Sequence, residues 1–374
     1  MVIAAGALVL TALAATFAAS TRGDGIEASL ITDPALDPEP ATTTSTYPTD
    51  FGDPLPAFAV PSSIDALVPG FTDTLVMTAG TGAGLEIWTW TSGPDGTLTR
   101  DPVPGDLFDA RFDVSGDQVA ALSQFADDPP WLVVTGGEDV VPIFYGARSF
   151  AWHVSVPGLI AWMSQIPGED APTLYLGARN DGGMYFKPIA TLPGFDAMDA
   201  NQIHDRLAGY DGTGFVIERW TMSDAAFAPT VVRLDLEGRP VATMPGTFAG
   251  LSASGEIAVS GADSIKIVAG PDMAATMTIP GLATSAVWSP DGTLVASTPD
   301  GQREVAIDDG DHAATTYQVE VDRPTVHAWS SDGRFVIVSG HAGDDPVLLF
   351  IDTANDSIRQ VPVDVHPISV VVVP

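Results

Sequence analysis

An all-β fold, a β-propeller of seven four-stranded blades, is the architecture this sequence predicts, and three observations predict it. A glycine-bearing turn signal recurs at Gly70, Gly116, Gly158, Gly212, Gly255, Gly292 and Gly333, about 44 residues apart on average, and a period of ~40–50 residues marks propeller units. The chain carries 37 Gly and 31 Pro, too many helix breakers for a bundle, yet 45% of it is hydrophobic, too apolar for general disorder. Its 48 acids divide into 38 Asp and 10 Glu; Glu suits helix interiors, whereas Asp competes for the backbone and settles in turns. Rings of six or eight blades are the alternatives, since the middle copies are degenerate.

Residues 1–20 hold no charged side chain, and about 20 apolar or small residues match the thickness of a bilayer core. They read as a hydrophobic helix, either a signal peptide cut after Ser20 or a retained membrane anchor. The basic flank of either is missing, which points to a start further upstream. A buried core helix fits less well, because residues 21–56 follow with seven acids, one base and six prolines. That composition buries too little apolar surface to fold. It reads as a disordered acidic linker, spanning roughly 30–36 Å as a coil, and the propeller then occupies residues 57–374.

The clearest repeat copies are Ala286-Val287-Trp288-Ser289-Pro290-Asp291-Gly292-Thr293-Leu294-Val295-Ala296-Ser297 and Ala328-Trp329-Ser330-Ser331-Asp332-Gly333-Arg334-Phe335-Val336-Ile337-Val338-Ser339. In each, a short apolar strand runs into a tight turn, expected to be type I′ because that turn favours Asp-Gly. A second strand follows, and a third is expected at residues 85–90, 131–134, 173–176, 231–236, 264–268, 304–307 and 347–351. A short outer strand completes the blade. The long interval between Gly158 and Gly212 implies an insertion around residues 181–201. Ring closure needs strands from both ends of the chain in one blade. The β-branched run Ile368-Ser369-Val370-Val371-Val372-Val373 suits that role.

These Trp-Ser-Pro-Asp-Gly and Trp-Ser-Ser-Asp-Gly units resemble WD-repeat-like propeller repeats of the TolB type. The resemblance covers residues 58–374 and is strongest over 284–340. It implies a propeller fold and says little of function. The chain departs from its models in having no separate N-terminal α/β domain and no catalytic domain after the propeller.

Charge and cysteine exclude whole classes of activity. Two Lys (Lys187, Lys266) and 13 Arg leave a net charge of −33, which repels phosphate backbones and anionic lipid. Nucleic acid is therefore excluded as a partner, and a membrane is met only through residues 1–20. With no Cys, disulfides, thiol catalysis, Cys-ligated metals and lipid attachment through Cys are all excluded.

The innermost strand of each blade lines the channel. Asp109, Arg111, His153, Asn201, His204, Arg206 and His327 fall on or near those strands and are the candidate binding residues, although the ordinary polar lining of a water-filled channel is the simpler account of them. Asp109, Asp199 and Asn201 are candidate Ca2+ ligands, since oxygen donors suit hard cations. The acidic stretch Asp308-Asp309-Gly310-Asp311-His312 reads as a hairpin tip, because it lacks the spacing of a calcium loop. Gly80-Thr81-Gly82-Ala83-Gly84 resembles a phosphate loop, but a strand follows it where the motif needs a helix. The tryptophans at repeat positions read as blade-packing aromatics. No Gly-x-Ser-x-Gly elbow is present.

Two functions follow from these features. The leading one is a monomeric, extracytoplasmic, non-enzymatic binding module, anchored or secreted, whose loops and channel mouth grip a protein, peptide or glycan. The alternative is a calcium-dependent hydrolase or lactonase that uses the channel.

Overall fold

The computed structural model describes Ile64 and residues 67–374, with short breaks at 82–83, 94, 104–106, 124–129, 136–139, 181–182, 198–202, 224–225, 282, 300–302, 311 and 313. The expected helix at 1–20 and linker at 21–56 lie outside the described residues. The compact unit runs Ala59–Pro374. Among its described residues there is no α-helix, only strands in seven antiparallel four-stranded sheets.

From the centre outward, blade 1 is β28 (His366–Val373), β1 (Thr74–Thr81), β2 (Gly84–Trp90) and β3 (Leu98–Val103). Blade 2 is β4 (Leu107–Phe112), β5 (Val119–Ser123), β6 (Trp131–Thr135) and β7 (Val140–Tyr145). Blade 3 is β8 (Ala147–Trp152), β9 (Leu159–Ser164), β10 (Thr173–Asn180) and β11 (Gly183–Thr191). Blade 4 is β12 (Ile203–Tyr210), β13 (Phe215–Ser223), β14 (Ala226–Leu234) and β15 (Pro240–Pro245). Blade 5 is β16 (Thr247–Leu251), β17 (Ile257–Ser260), β18 (Ser264–Ala269) and β19 (Ala274–Pro280). Blade 6 is β20 (Ala283–Trp288), β21 (Val295–Pro299), β22 (Glu304–Asp308) and β23 (Thr315–Gln318). Blade 7 is β24 (Asp322–Trp329), β25 (Phe335–Ala342), β26 (Asp345–Asp352) and β27 (Ser357–Pro362). The expected third strands coincide with β2, β6, β10, β14, β18, β22 and β26. The long interval is accounted for by residues 192–202 between β11 and β12, where the other blade-to-blade connections take one to three residues.

The closure is the one the C-terminal run implied. β28 pairs antiparallel with β1, Val371 opposite Val76 and Val373 opposite Thr74. The last strand of the chain thus forms the innermost strand of the first blade.

All seven turn glycines have positive φ, from +69° at Gly158 to +87° at Gly255, the region L side chains avoid. The turn type differs from the expectation. Asp291 is absent from the residues with positive φ, whereas a type I′ turn needs it at both central positions. Instead Gly292 donates its N–H to the carbonyl of Ser289 at 2.8 Å, and Ser289 donates its own to Leu294 at 2.9 Å. The Ser289 hydroxyl donates to Asp291 Oδ1 (2.7 Å) and accepts from the N–H of Leu294 (2.9 Å). The motif thus serves a longer loop held by its own side chains. Ser330, Asp332 and Phe335 repeat the arrangement.

The core is distributed over the seams. One apolar cluster joins blades 7 and 1 through Phe350, Phe335, Phe71 and Trp88. Others join blades 1 and 2, 2 and 3, 4 and 5, 5 and 6, and 6 and 7. The second strands β5, β9 and β17 are buried at every residue, the environment of continuous apolar runs. Hydrogen bonds cross the seams as well. The indole N–H groups of Trp152 and Trp329 donate to the carbonyls of Arg111 (2.9 Å) and Val287 (3.2 Å) on the preceding blade. These tryptophans lock blades together, as their repeat positions implied.

Candidate functional site

All seven inner strands are irregular. A register shift falls within β4, β8, β12, β16, β20 and β24 and opposite Ser369 of β28, where one strand carries extra residues against its partner. Bulges bend a strand and re-aim its side chains. In β8, β20, β24 and β28 a shift falls toward the face where the inner strands begin, here called the upper face, and two cavities open there.

The first cavity, about 840 Å3, is lined by blades 4 and 5 and the start of β20. Trp220, Phe248, Pro229 and Pro245 make its apolar walls, and Arg206 and Glu218 supply the charge. Glu218 is buried and satisfied twice, by Arg206 Nη2 at 2.6 Å and by the backbone N–H of Phe248 at 3.0 Å. The carboxylate thereby ties blade 4 to blade 5 and holds the Arg206 side chain in place. Arg206 stays 41% exposed against 4% for Glu218, so its guanidinium faces the opening.

A second cavity, about 930 Å3, lies where blades 6 and 7 meet. His341 at the end of β25 lines it and stacks on His366 of β28, ring centroids 5.0 Å apart and nearly parallel at 17°. Below them His327 of β24 is bonded through Nε2 to Ser339 Oγ at 2.7 Å. Loss of solvent pushes the His327 pKa down to about 4, with His366 adding to the effect. Burial and then the neighbouring His341 hold His366 below the ordinary range too. At neutral pH His327 and His366 are uncharged.

The other candidates are dispersed around the ring. Asp109 has φ +48° in the bulge of β4, and its Oδ1 accepts from Nε and Nη2 of Arg111 at 2.9 and 2.7 Å. His153 lies at the opposite end of the inner strands, buried edge-on to Tyr210. Its Nδ1 accepts from the N–H groups of Ser155 and Val156, both at 3.1 Å. It occupies the turn position that Ser289 and Ser330 hold in their blades. Burial lowers its pKa, against the pull of Asp211. His204 pairs with Trp220 across β12 and β13. Asp199 and Asn201 lie outside the described residues, and among those described no three His, Cys, Asp or Glu side chains form a group able to hold a metal. Asp308 ends β22 and its Oδ1 accepts from the Gly310 N–H at 2.6 Å, while Asp311 of the acidic stretch lies outside the described residues.

Arg206 and His327 are thus the sequence candidates that lie at or beside the upper-face cavities. Glu218, Trp220, Phe248, Arg323 and His341 were not legible. They sit outside the repeat motif, and Phe248 and Arg323 border or occupy bulges, which leave no mark in the sequence.

No protein-family profile matches the chain, and a search of curated proteins finds no match. Solved structures do align with it. The periplasmic gluconolactonase PpgL of Pseudomonas aeruginosa is 13% identical with a TM-score of 0.54, covering 81% of this chain and 99% of its own. A 6-phosphogluconolactonase assigned in Bacteroides uniformis is 14% identical, with a TM-score of 0.51 and coverage of 81% and 100%. TolB from Acinetobacter baumannii is 15% identical, with a TM-score of 0.45 and coverage of 83% and 70%. At such identities the likeness shows the fold alone: the chain is an all-β, seven-bladed propeller of the kind its repeats resembled.

Proposed function

We propose that this protein is an extracytoplasmic, non-enzymatic binding module that engages a protein or peptide on its upper face. The observation that carries this reading is the cavity between blades 4 and 5. It combines a Trp, a Phe and two prolines with a guanidinium whose carboxylate partner is buried beneath it. Aromatic residues and Arg are the side chains that anchor interfaces, and a held Arg loses little freedom on binding. The apolar residues 1–20 and the acidic stretch 21–56 support display outside the cytoplasm. The test is affinity capture by the immobilised full chain beside its Trp220→Ala variant. A partner held by the wild type and weakened about tenfold or more by the variant, with melting unchanged, supports the reading. A partner indifferent to the variant counts against it. Calcium-dependent lactone hydrolysis by the purified chain would establish the enzymatic alternative instead.

A further inference from the structure

The cavity between blades 6 and 7 differs in kind from its neighbour. Among the described residues no Phe, Tyr, Trp or aliphatic chain lines it; apart from Pro299, Pro324 and Gly343 every described lining side chain is polar. It also gathers two guanidinium groups in a chain of 15 Lys and Arg against 48 acids: Arg303 and Arg323 both line it, beside the imidazole of His341. Arg303 is engaged by Asp322 across the seam, Nε to Oδ1 at 2.8 Å. Arg323 makes no ion pair or side-chain hydrogen bond with any described residue. It sits in the bulge between Asp322 and Thr325 with φ +53°, a backbone conformation unfavourable for a long side chain. Strain of this sort persists where surrounding structure imposes it, and it gathers at ligand clamps. Asp344, on the same cavity, likewise has no partner among the described residues.

We propose that this cavity is a saccharide site that takes a short oligosaccharide bearing a uronate carboxylate, with Arg323 as its anchor. An unpaired guanidinium is a planar fork matched to a carboxylate. A phosphate dianion suits the site less, because Asp322 and Asp344 line the same cavity and repel the second charge. The hydroxyls of Thr284 and Thr325 and the free carboxylate of Asp344 match sugar hydroxyls. At about 930 Å3 the cavity is near the upper end of small-molecule sites, roughly 300–1,000 Å3, and has room for more than one sugar ring. The negative field of the whole molecule opposes any anion, but it is screened beyond about 8 Å at physiological ionic strength, which leaves the local guanidinium to decide. This proposal does not rest on the protein-partner reading, since the two cavities share only Thr284 among their lining residues.

Calorimetric titration of the full chain with digalacturonate, lactose and inorganic phosphate at fixed ionic strength tests it. Digalacturonate is expected to bind about tenfold or more tightly than lactose, the worth of one charge-assisted hydrogen bond, and phosphate no better than lactose. Arg323→Asn, which keeps a residue tolerant of positive φ, should lose that tenfold without lowering the melting temperature. Asp344→Asn should tighten digalacturonate, because it removes a repelling charge. Equal binding of digalacturonate and lactose, phosphate as the tightest ligand, an unaffected Arg323→Asn variant, or no binding of any probe would each overturn the proposal.

Discussion

His327 shows what one side chain contributes through its surroundings. Its ring is bonded to Ser339 and faces His366, with His341 stacked beyond, so the folded state holds it neutral, with a pKa of about 4 against 6.5 when free. The unfolded chain therefore binds more protons between those values, and stability rises with pH across that window. Stability due to this group is complete above about pH 6.5 and is lost as pH falls toward 4, by on the order of 3 kcal/mol in all. His327→Gln removes the titration. Urea midpoints measured from pH 8 to pH 4 should fall less steeply for this variant than for the wild type; parallel curves would contradict the assignment. Arg233 and Asp211 give a second case. Their side chains are 5% and 2% exposed and 2.7 Å apart, and Asp211 also accepts from the N–H groups of Thr213 and Gly214. Removing one partner strands a buried charge, so Arg233→Met should cost about 3–5 kcal/mol. Adding Asp211→Asn should recover part of that loss, a coupling that a double-mutant cycle of chemical denaturation reads directly.

At the scale of elements, the closing strand and the outer edges carry most of the design. β28 supplies the inner edge of blade 1 and packs Val370 into the core shared with blade 7. Deleting residues 366–374 exposes the whole of β1 as an apolar edge, and such edges associate. The truncated chain should be insoluble or lack a cooperative melt; a melt equal to that of the full chain would refute the closure. The outer strands are protected differently. β3, β7, β11, β15, β19 and β27 each contain proline, and β23 has only four residues. Proline withholds a donor from any added strand. Much of this was readable in advance, because turn glycines and strand-forming runs obey local rules. Position 153 was harder to read as a turn, since there a histidine Nδ1 replaces the serine hydroxyl of Ser289 and Ser330. The bulges were not readable at all. A bulge is set by how one strand registers on the next, and Arg323 has the same neighbours in sequence whether or not β24 bulges. The candidate cavities depend on those bulges, which is why the fold could be read from sequence and the mouth mostly could not.

For the molecule as a whole, the balance lies between apolar seams and a surplus of negative charge. The seams supply burial around the ring, while 48 acids face only 15 bases. Even with every base engaged, 33 acids keep no cationic partner. The ion pairs that do form include exposed ones such as Arg239–Asp235 and Arg303–Asp322, and exposed pairs contribute little, roughly 0–1 kcal/mol each. Salt acts on both terms with opposite signs: it weakens those pairs slightly and relieves the general repulsion. Unpaired acids outnumber the pairs several-fold, so relief should win. The Debye length shrinks from about 10 Å at 0.1 M to about 3 Å at 1 M, which removes the long-range part of the repulsion over that interval. The melting temperature should therefore climb by several degrees between 0.1 and 1 M sodium chloride, and by a similar amount in potassium chloride, because screening depends on ionic strength. Calcium and magnesium compared at fixed ionic strength separate screening from a specific site. A rise with calcium alone at low concentration would follow the mass action of a native-state ligand, and its loss in an Asp199→Ala, Asn201→Ala variant would assign it to the channel and favour the hydrolase. A melting temperature that stays flat or falls with sodium chloride would mean that the ion pairs outweigh the surplus charge, contrary to the count of unpaired acids.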